Sequence, residues 1–389
     1  MVERYDIVIV GGGMVGAALA CALKHTSYRI ALIDAAITHA EDKRFIALNH
    51  SSCVLLTNLG LWHALAAGAA AIREVHVSHR GHFGTTRLNA AEMRLNELGH
   101  VVPAKYINIA LYDQLAALEK LTLLRPAKLI SLDQHESHAT LTIETPTGNK
   151  TLDASIVIAA DGTHSTVREL LNIQTETIDY QHKALVTVTE LQRDHHHIAY
   201  ERFLAEGAIA MLPLTGLRVA TIWSGKENDI DALLKLSDAD FLQQLQHHFG
   251  YRLGQLQKTE QRFSYAIKLV KAKEQIKHRV MLVGNAAHTV HPIAAQGLNL
   301  ALYEIAVLAE HLSKQLDLSD IPSFLKQQNA SINISHYLTR LFSTDFCLFN
   351  TARQIGMVGL DMCIPIKQKF AQRVLGRMGK LPSLLIENE

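Results

Sequence analysis

The stretch YDIVIVGGGMVG, residues 5–16, decides the fold. A β-branched run from Tyr5 to Val10 leads into glycines, and Gly11, Gly13 and Gly16 fill a G-x-G-x-x-G spacing. The first glycine suits a tight turn, the second lets backbone approach a pyrophosphate, and the third lets helix pack closely on strand. The Ala- and Leu-rich segment Met14 to Lys24 predicts the helix, with its N-terminal amides facing phosphate. Arg29 to Asp34 predicts a second strand that ends in an acid placed for a ribose hydroxyl. Strand, turn, helix, strand and acid together predict dinucleotide binding and leave FAD and NAD undecided.

Two later runs read the same way. Ala154 to Ala160 precedes Asp161-Gly162, and Arg279 to Val283 precedes Gly284. Both predict buried strands ending in glycine turns. The texture between them differs. Ala184 to Glu190 alternates, and Ala208 to Trp223 is broken by Pro213 and Gly216. This predicts a mostly antiparallel layer. The expected fold is therefore α/β: a Rossmann-like cofactor domain interleaved with a mostly antiparallel β-sheet substrate domain, then C-terminal helices. Residues 1–71, 101–177 and 273–335 form the first, 72–100 and 178–272 the second, and 336–389 the helical segment.

Bulk properties narrow the function. With 389 residues, the chain suits about two domains. Hydrophobic residues make up 48% and charged residues 19%, which excludes disorder. A net charge of +1 gives no reason to expect a nucleic-acid partner. Cys21, Cys53, Cys347 and Cys363 form no C-x-x-C pair, so they read as reduced thiols of a cytoplasmic protein. The apolar run at residues 7–10 reads as a strand and not a leader, and no run is long enough to span a bilayer. Metal binding is not expected. His195-His196-His197 reads as a solvated polar loop, and His76, His79 and His82 as surface or substrate-layer residues.

The later motifs resemble known ones. Asp161-Gly162-Thr163-His164-Ser165-Thr166-Val167-Arg168 resembles the DG fingerprint of aromatic-ring flavoprotein hydroxylases. Gly284-Asn285-Ala286-Ala287-His288, running through His291-Pro292 to Gln296-Gly297-Leu298-Asn299, resembles their flavin-ribityl motif. The segments KRFIAL (43–48), HVSHRGHFG (76–84), YQHKALV (180–186), AYERFLAEGAIAMLPL (199–214) and VGNAAHTVHPIAAQGLN (283–299) are similar to the ubiquinone-biosynthesis hydroxylases. The similarity extends to about residue 340 and is greatest to the 2-polyprenyl-6-methoxyphenol hydroxylase branch. Some positions depart from the family pattern. Ala295 and Ala301 replace glycines, Glu304 replaces aspartate, Asn285 replaces the commoner aspartate, and an arginine often found near 105–115 is missing.

The resemblance implies FAD as cofactor and NAD(P)H as transient reductant. It implies insertion of one oxygen atom from O2 into a prenylated phenol through a flavin C4a-hydroperoxide. Under it, Gly11, Gly13, Gly16 and Asp34 hold the ADP half of FAD. Arg44 reaches the pyrophosphate or ribityl chain, and Asp161, Gly284 and Asn285 hold the ribityl or ribose side. His291, Pro292 and Gln296 are the candidate catalytic positions, bordering the isoalloxazine with Ala295, Gly297 and Asn299. It also raises a ubiquinone-biosynthesis protein assembly as partner. The basic, apolar C-terminal stretch leaves two readings: packing on its own body, or peripheral contact with the inner face of a membrane. A sister ring-hydroxylation step, a flavin oxidase or dehydrogenase, and a non-catalytic flavin-binding scaffold remain open alternatives.

Overall fold

Ile7, Val8, Ile9 and Val10 are all buried, as a central parallel strand covered on both faces requires. The computed structural model describes residues 2–37, 42–82, 84–289, 296–319, 328, 359, 361–377 and 381–387. In chain order come β1 (Glu3–Val10), α1 (Met14–Ala22), β2 (Ile30–Ile33), β3 (Phe45–Asn49), β4 (Glu74–His79), β5 (Thr85–Asn89), β6 (Gly99–Pro103) and α2 (Ala104–Ala116). Next are β7 (Leu121–Leu124), β8 (Lys128–Gln134), β9 (Ala139–Thr145), β10 (Gly148–Ala159), β11 (Thr175–Leu191), β12 (Ile198–Leu204), β13 (Gly207–Pro213) and β14 (Arg218–Lys226). Then come α3 (Glu227–Lys235), α4 (Asp238–Phe249), β15 (Phe263–Ala272), β16 (Val280–Leu282), α5 (Gln296–Lys314) and α6 (Ile364–Val374), with shorter elements between.

The first sheet runs β16, β10, β1, β2, β7, all parallel, with β9 and β8 added antiparallel beyond β10. Alternation sends Ile7 and Ile9 into a core with Leu19 of α1 and Ile305 and Leu308 of α5. Val8 and Val10 enter the opposite core with Leu141, Val157 and Val280. Register fixes the functional edge. Val10 lies beside Ile33 on one side and Ala159 on the other, and Ala159 lies beside Leu282. The turns that begin at Gly11, Ala160 and Val283 therefore leave the sheet side by side.

The second sheet runs β15, β11, β14, β13, β12, β4, β5. Its pairings are antiparallel except β12 with β4, where Ile198 lies beside Glu74. One face is covered by α3 and α4 through Leu204, Met211, Trp223, Ile230 and Phe241. The other, with Val188, Ala199 and Ala220, packs on Phe45, Ala47 and Val101 of β3 and β6. The chain is thus an α/β protein in which a Rossmann-like sheet and a mostly antiparallel sheet interleave along the sequence.

One expectation needs correction. His195 is not part of a solvated loop. It is buried, its Nε2 donates to the carbonyls of Leu214 (2.9 Å) and Gly216 (3.1 Å), and its Nδ1 accepts from the His197 amide (3.1 Å). Three backbone groups consume the ring's hydrogen-bonding capacity, so it pins one loop to another. The thiols of Cys21 and Cys53 are pushed up to about 12 by burial, as suits reduced, unreactive cysteines. Much of the 336–389 segment lies outside the described residues, but α6 falls within it. Among the described residues no helix is long and apolar enough to cross a membrane.

The crossing of α1 over the first turn rests on Gly16. A Cβ there would penetrate the Gly11 carbonyl oxygen and stand 3.2 Å from Ile9. Replacing Gly16 with Ala is expected to destabilise the fold by about 1–3 kcal/mol, the usual cost of overpacking, read by chemical denaturation.

Candidate flavin site

The three turns at the sheet edge build the site. Gly11 adopts φ +102, and a Cβ there would come within 2.5 Å of the Ala160 carbonyl oxygen. The first turn and the second are therefore in backbone contact, which only glycine permits. Gly13 is the opposite case, since a Cβ there would meet nothing within 4 Å. It caps α1, which has no side-chain cap and no acid in its first turn, so its amides are left for an external anion.

Asp34 follows β2 and is buried. Its Oδ1 accepts from the Ala36 amide (3.1 Å) and its Oδ2 from the Tyr112 hydroxyl (2.7 Å). Tyr112, on α2, lies 2.8 Å from the Gly12 carbonyl, and the Arg125 guanidinium stands 4.0 Å over its ring. Burial, then the bond to Asp34, pushes the phenol above its ordinary range, so it stays a protonated donor. A Cβ at Gly12 would come within 2.5 Å of Asp34 Oδ2, so Gly12 is needed as well. Sequence reading missed Tyr112 and the role of Gly12.

Asp161 is the second residue of the second turn. Its Oδ2 accepts from the Val167 amide (3.0 Å), and its Oδ1 is buried with no hydrogen-bond partner among the described residues. Burial raises its carboxyl above the usual range. An orphaned acceptor at this edge suits a hydroxyl-bearing ligand, because an unmatched buried oxygen costs about 1–3 kcal/mol. Arg168 ties this turn to the third, donating to the carbonyls of Thr163 (2.6 Å) and Ala286 (2.9 Å).

Gly284, the second residue of the third turn, adopts φ +55 and donates its amide to Glu304 Oε2 (3.0 Å). Glu304 is wholly buried on α5. It also pairs with His288 Nε2 and accepts from Gln328 (2.7 Å). This buried hub was visible in sequence only as a departure from the family's aspartate. Asn285 beside it is exposed. Gly297 lies in the first turn of α5, which Gln296 begins. Asn299 is buried, its Oδ1 accepting from the Asn49 amide (2.9 Å) and its Nδ2 donating to the Ala47 carbonyl (2.8 Å), so it locks α5 to β3. Arg44, just before β3, is exposed and chelates Asp42 at 2.6–3.1 Å. His291, Pro292 and Ala295 lie outside the described residues.

A cleft of about 480 Å³ lies elsewhere. Trp62, His100, His195 and His197 line it, and no motif residue does. The edge with Gly13 open, Asp161 Oδ1 unmatched and α1 uncapped fits the pyrophosphate and hydroxyls of FAD, so it is the better site.

Two substitutions test this geometry. Gly13→Ala should leave the unfolding midpoint unchanged, because its Cβ meets no protein atom, yet weaken FAD binding at least about tenfold. Tyr112→Phe should cost about 1.5 kcal/mol of FAD affinity, roughly tenfold, by removing the donor that orients Asp34. Fluorescence titration of the apoprotein with FAD reads both.

Comparisons with known proteins agree with this geometry. Residues 4–327 match the family model described as FAD binding domain. The chain is 32% identical to ubiquinone hydroxylase UbiL of Rhodospirillum rubrum, over 98% of this chain and 92% of that protein. It is 29% identical to 3-demethoxyubiquinol 3-hydroxylase of Escherichia coli, over 79% of each. The fold superposes on p-nitrophenol 4-monooxygenase PnpA of Pseudomonas putida with a TM-score of 0.78, over 97% of this chain and 100% of that one, at 17% identity. The chain belongs to the FAD-binding domain family, as a flavin-dependent hydroxylase of the kind found in ubiquinone biosynthesis.

Proposed function

We propose that this protein hydroxylates the aromatic ring of a prenylated phenol on the route to ubiquinone, with 2-polyprenyl-6-methoxyphenol as substrate. The observation that carries the reading is the match to a ubiquinone hydroxylase along nearly the whole chain, covering both sheets. Bound FAD supplies the chemistry: with NAD(P)H as reductant it activates O2 and delivers one oxygen atom to the ring. The protein binds, orients and excludes water. Gly13 and the α1 amides hold the pyrophosphate, Asp34 a ribose hydroxyl, and Asp161 and Asn285 the ribityl side. Gln296, Gly297 and the following turn of α5, with His291, Pro292, Ala295 and Asn299, border the ring system. Arg44 exchanges Asp42 for the cofactor.

The substrate side of the reading rests on the second sheet. Val186, Ile222 and Ala210 are adjacent in register, with Val77 in the same row beyond Glu201, and such a largely apolar wall suits a prenylated ring. A polyprenyl chain resides in lipid, so the protein meets the inner face of the membrane. Ile364 and Ile366 on α6, and Met362 just before it, are exposed, and Lys369 and Arg373 follow on the same helix, the composition of an interfacial helix. Relatedness to the Escherichia coli enzyme favours demethoxyubiquinol as the second substrate to try.

Reaction under 18O2 with FAD, NADPH and a short-chain 2-prenyl-6-methoxyphenol is expected to place one 18O atom in the product. Mass spectrometry reads the label, and fragmentation locates the carbon. Bound, reducible flavin without labelled product from either ring would refute the proposed reaction.

A further inference from the structure

Glu201 lies in the middle of β12, where side chains alternate. Leu204 and the edge of Tyr200 enter the core under α4, whereas Ala199 packs with Val188, Ala220 and Phe45. Glu201 shares the face of Ala199. Pairing sets its row across the sheet: Phe263, Val186, Ile222, Ala210, Glu201, Val77, Thr86. The next row is Tyr265, Ala184, Ser224, Ala208, Phe203, His79. A single carboxyl thus stands in a wall of apolar and small side chains. It is partly buried, and it has no ion pair or hydrogen bond among the described residues. Burial alone pushes it from 4.5 up to about 7.

The face has a definite outlook. Phe45, Ala47 and Val101 pack over its neighbouring part, and Arg44 interacts electrostatically with Tyr265 at its far edge. The wall therefore borders the segment that leads from the sheet edge with the three turns. Among the described residues its other ionisable groups are His79, one row along, whose ring meets that of His82, then His182 and Lys226 a row further, and Tyr265 with Arg44 and Asp42 at the rim. An unpartnered carboxyl in such a wall needs a donor, and none is provided among the described residues.

From this placement, and resting on the proposed reaction, we infer that the Glu201 carboxylate accepts the hydrogen bond of the substrate's phenolic hydroxyl and takes its proton as oxygen is added to the ring. The phenol O–H bond breaks and its proton moves to a Glu201 oxygen. The electron pair left behind enters the ring and forms the new C–O bond at the carbon ortho or para to one oxygen of O2, which the flavin has reduced with NAD(P)H as reductant; the O–O bond breaks, and the second oxygen leaves with its electron pair and ends as water. The carbon's proton passes to that departing oxygen, which restores aromaticity, and Glu201 returns its own proton to the phenolic oxygen. A carboxyl that titrates near neutrality can serve in both directions.

The test uses full-length, FAD-loaded protein as wild type, Glu201→Gln and Glu201→Asp. Glu201→Gln should keep FAD binding and KM, lose about 100-fold in kcat, and lose the rise of kcat through about pH 7 that the wild type shows. Glu201→Asp should recover part of the rate. A second readout needs no turnover. Bound 4-nitrophenol should ionise at lower pH in Glu201→Gln than in wild type, because the ionised neighbour that opposes phenolate is gone. Stability gives a third sign. The folded value lies above the unfolded one, so the group's stability contribution is full below 4.5 and lost as pH rises through about 7. Glu201→Gln should therefore gain thermal stability over wild type at about pH 8 and not at about pH 4. A kcat and pH profile within twofold of wild type would overturn the inference, as would unchanged ionisation of 4-nitrophenol or its failure to bind wild type. If wild type hydroxylates neither prenylated ring, the proposed substrate falls and the nitrophenol titration alone decides the role of Glu201.

Discussion

The site depends on the parallel register of β16, β10, β1 and β2. Parallel strands end on the same side, so three motifs far apart in sequence emerge as neighbouring turns. The register is held by alternation: a one-residue slip would move Ile7 and Ile9 from one core to the other. Backbone bonds continue the alignment past the strands. Gly11 donates to Ile33 (2.8 Å), Ala160 to Val10 (2.7 Å) and Val283 to Ala159 (2.9 Å). The first residue of each turn is thus placed by the sheet before any side chain acts.

The third turn carries a further constraint. Glu304 is a fully buried carboxylate, and such a group is tolerated only with several donors. It takes one from the Gly284 backbone and others from His288 and Gln328. Replacing the family's aspartate by glutamate adds a methylene, and the carboxylate still reaches the turn. The adjacent Ala301 lies 3.5 Å from where a Gly284 Cβ would be, a close but ordinary contact. Two departures from the family pattern therefore sit together on α5, packed against the same glycine.

What was legible in the sequence was local. Strand, glycine turn and helix follow from period and turn chemistry, so β1, α1, β2, β10 and β16 were all foreseen within a few residues, apart from the N-terminal extension of β10. The alternation at 184–190 marked the second sheet for the same reason. Long-range partners left no such trace. Nothing near Tyr112 says that its hydroxyl reaches a carboxylate 78 positions earlier. His195 looks like part of a polar run, and only the fold brings the Leu214 carbonyl to its ring. Motif position puts Asn299 and Arg44 near the cofactor but gives no hint of their protein partners, β3 for the Asn299 amide and Asp42 for Arg44. Position in a motif identifies a neighbourhood, whereas the partner of each polar atom is set by tertiary packing.

The second sheet illustrates how chemistry can be concentrated in one residue. Oxygen transfer to a phenol needs a dry wall, because water diverts the reactive oxygen, and it also needs some way to enrich the ring in electrons. These demands oppose each other, since every polar group added to the wall admits water. A lone carboxyl among Val77, Ala210 and Ile222 meets both. Its burial keeps the wall apolar, and the same burial raises its affinity for a proton to the range where a phenol can share one. The alternation of β12 is what makes this possible: one residue earlier or later, the carboxyl would point into the core beneath α4.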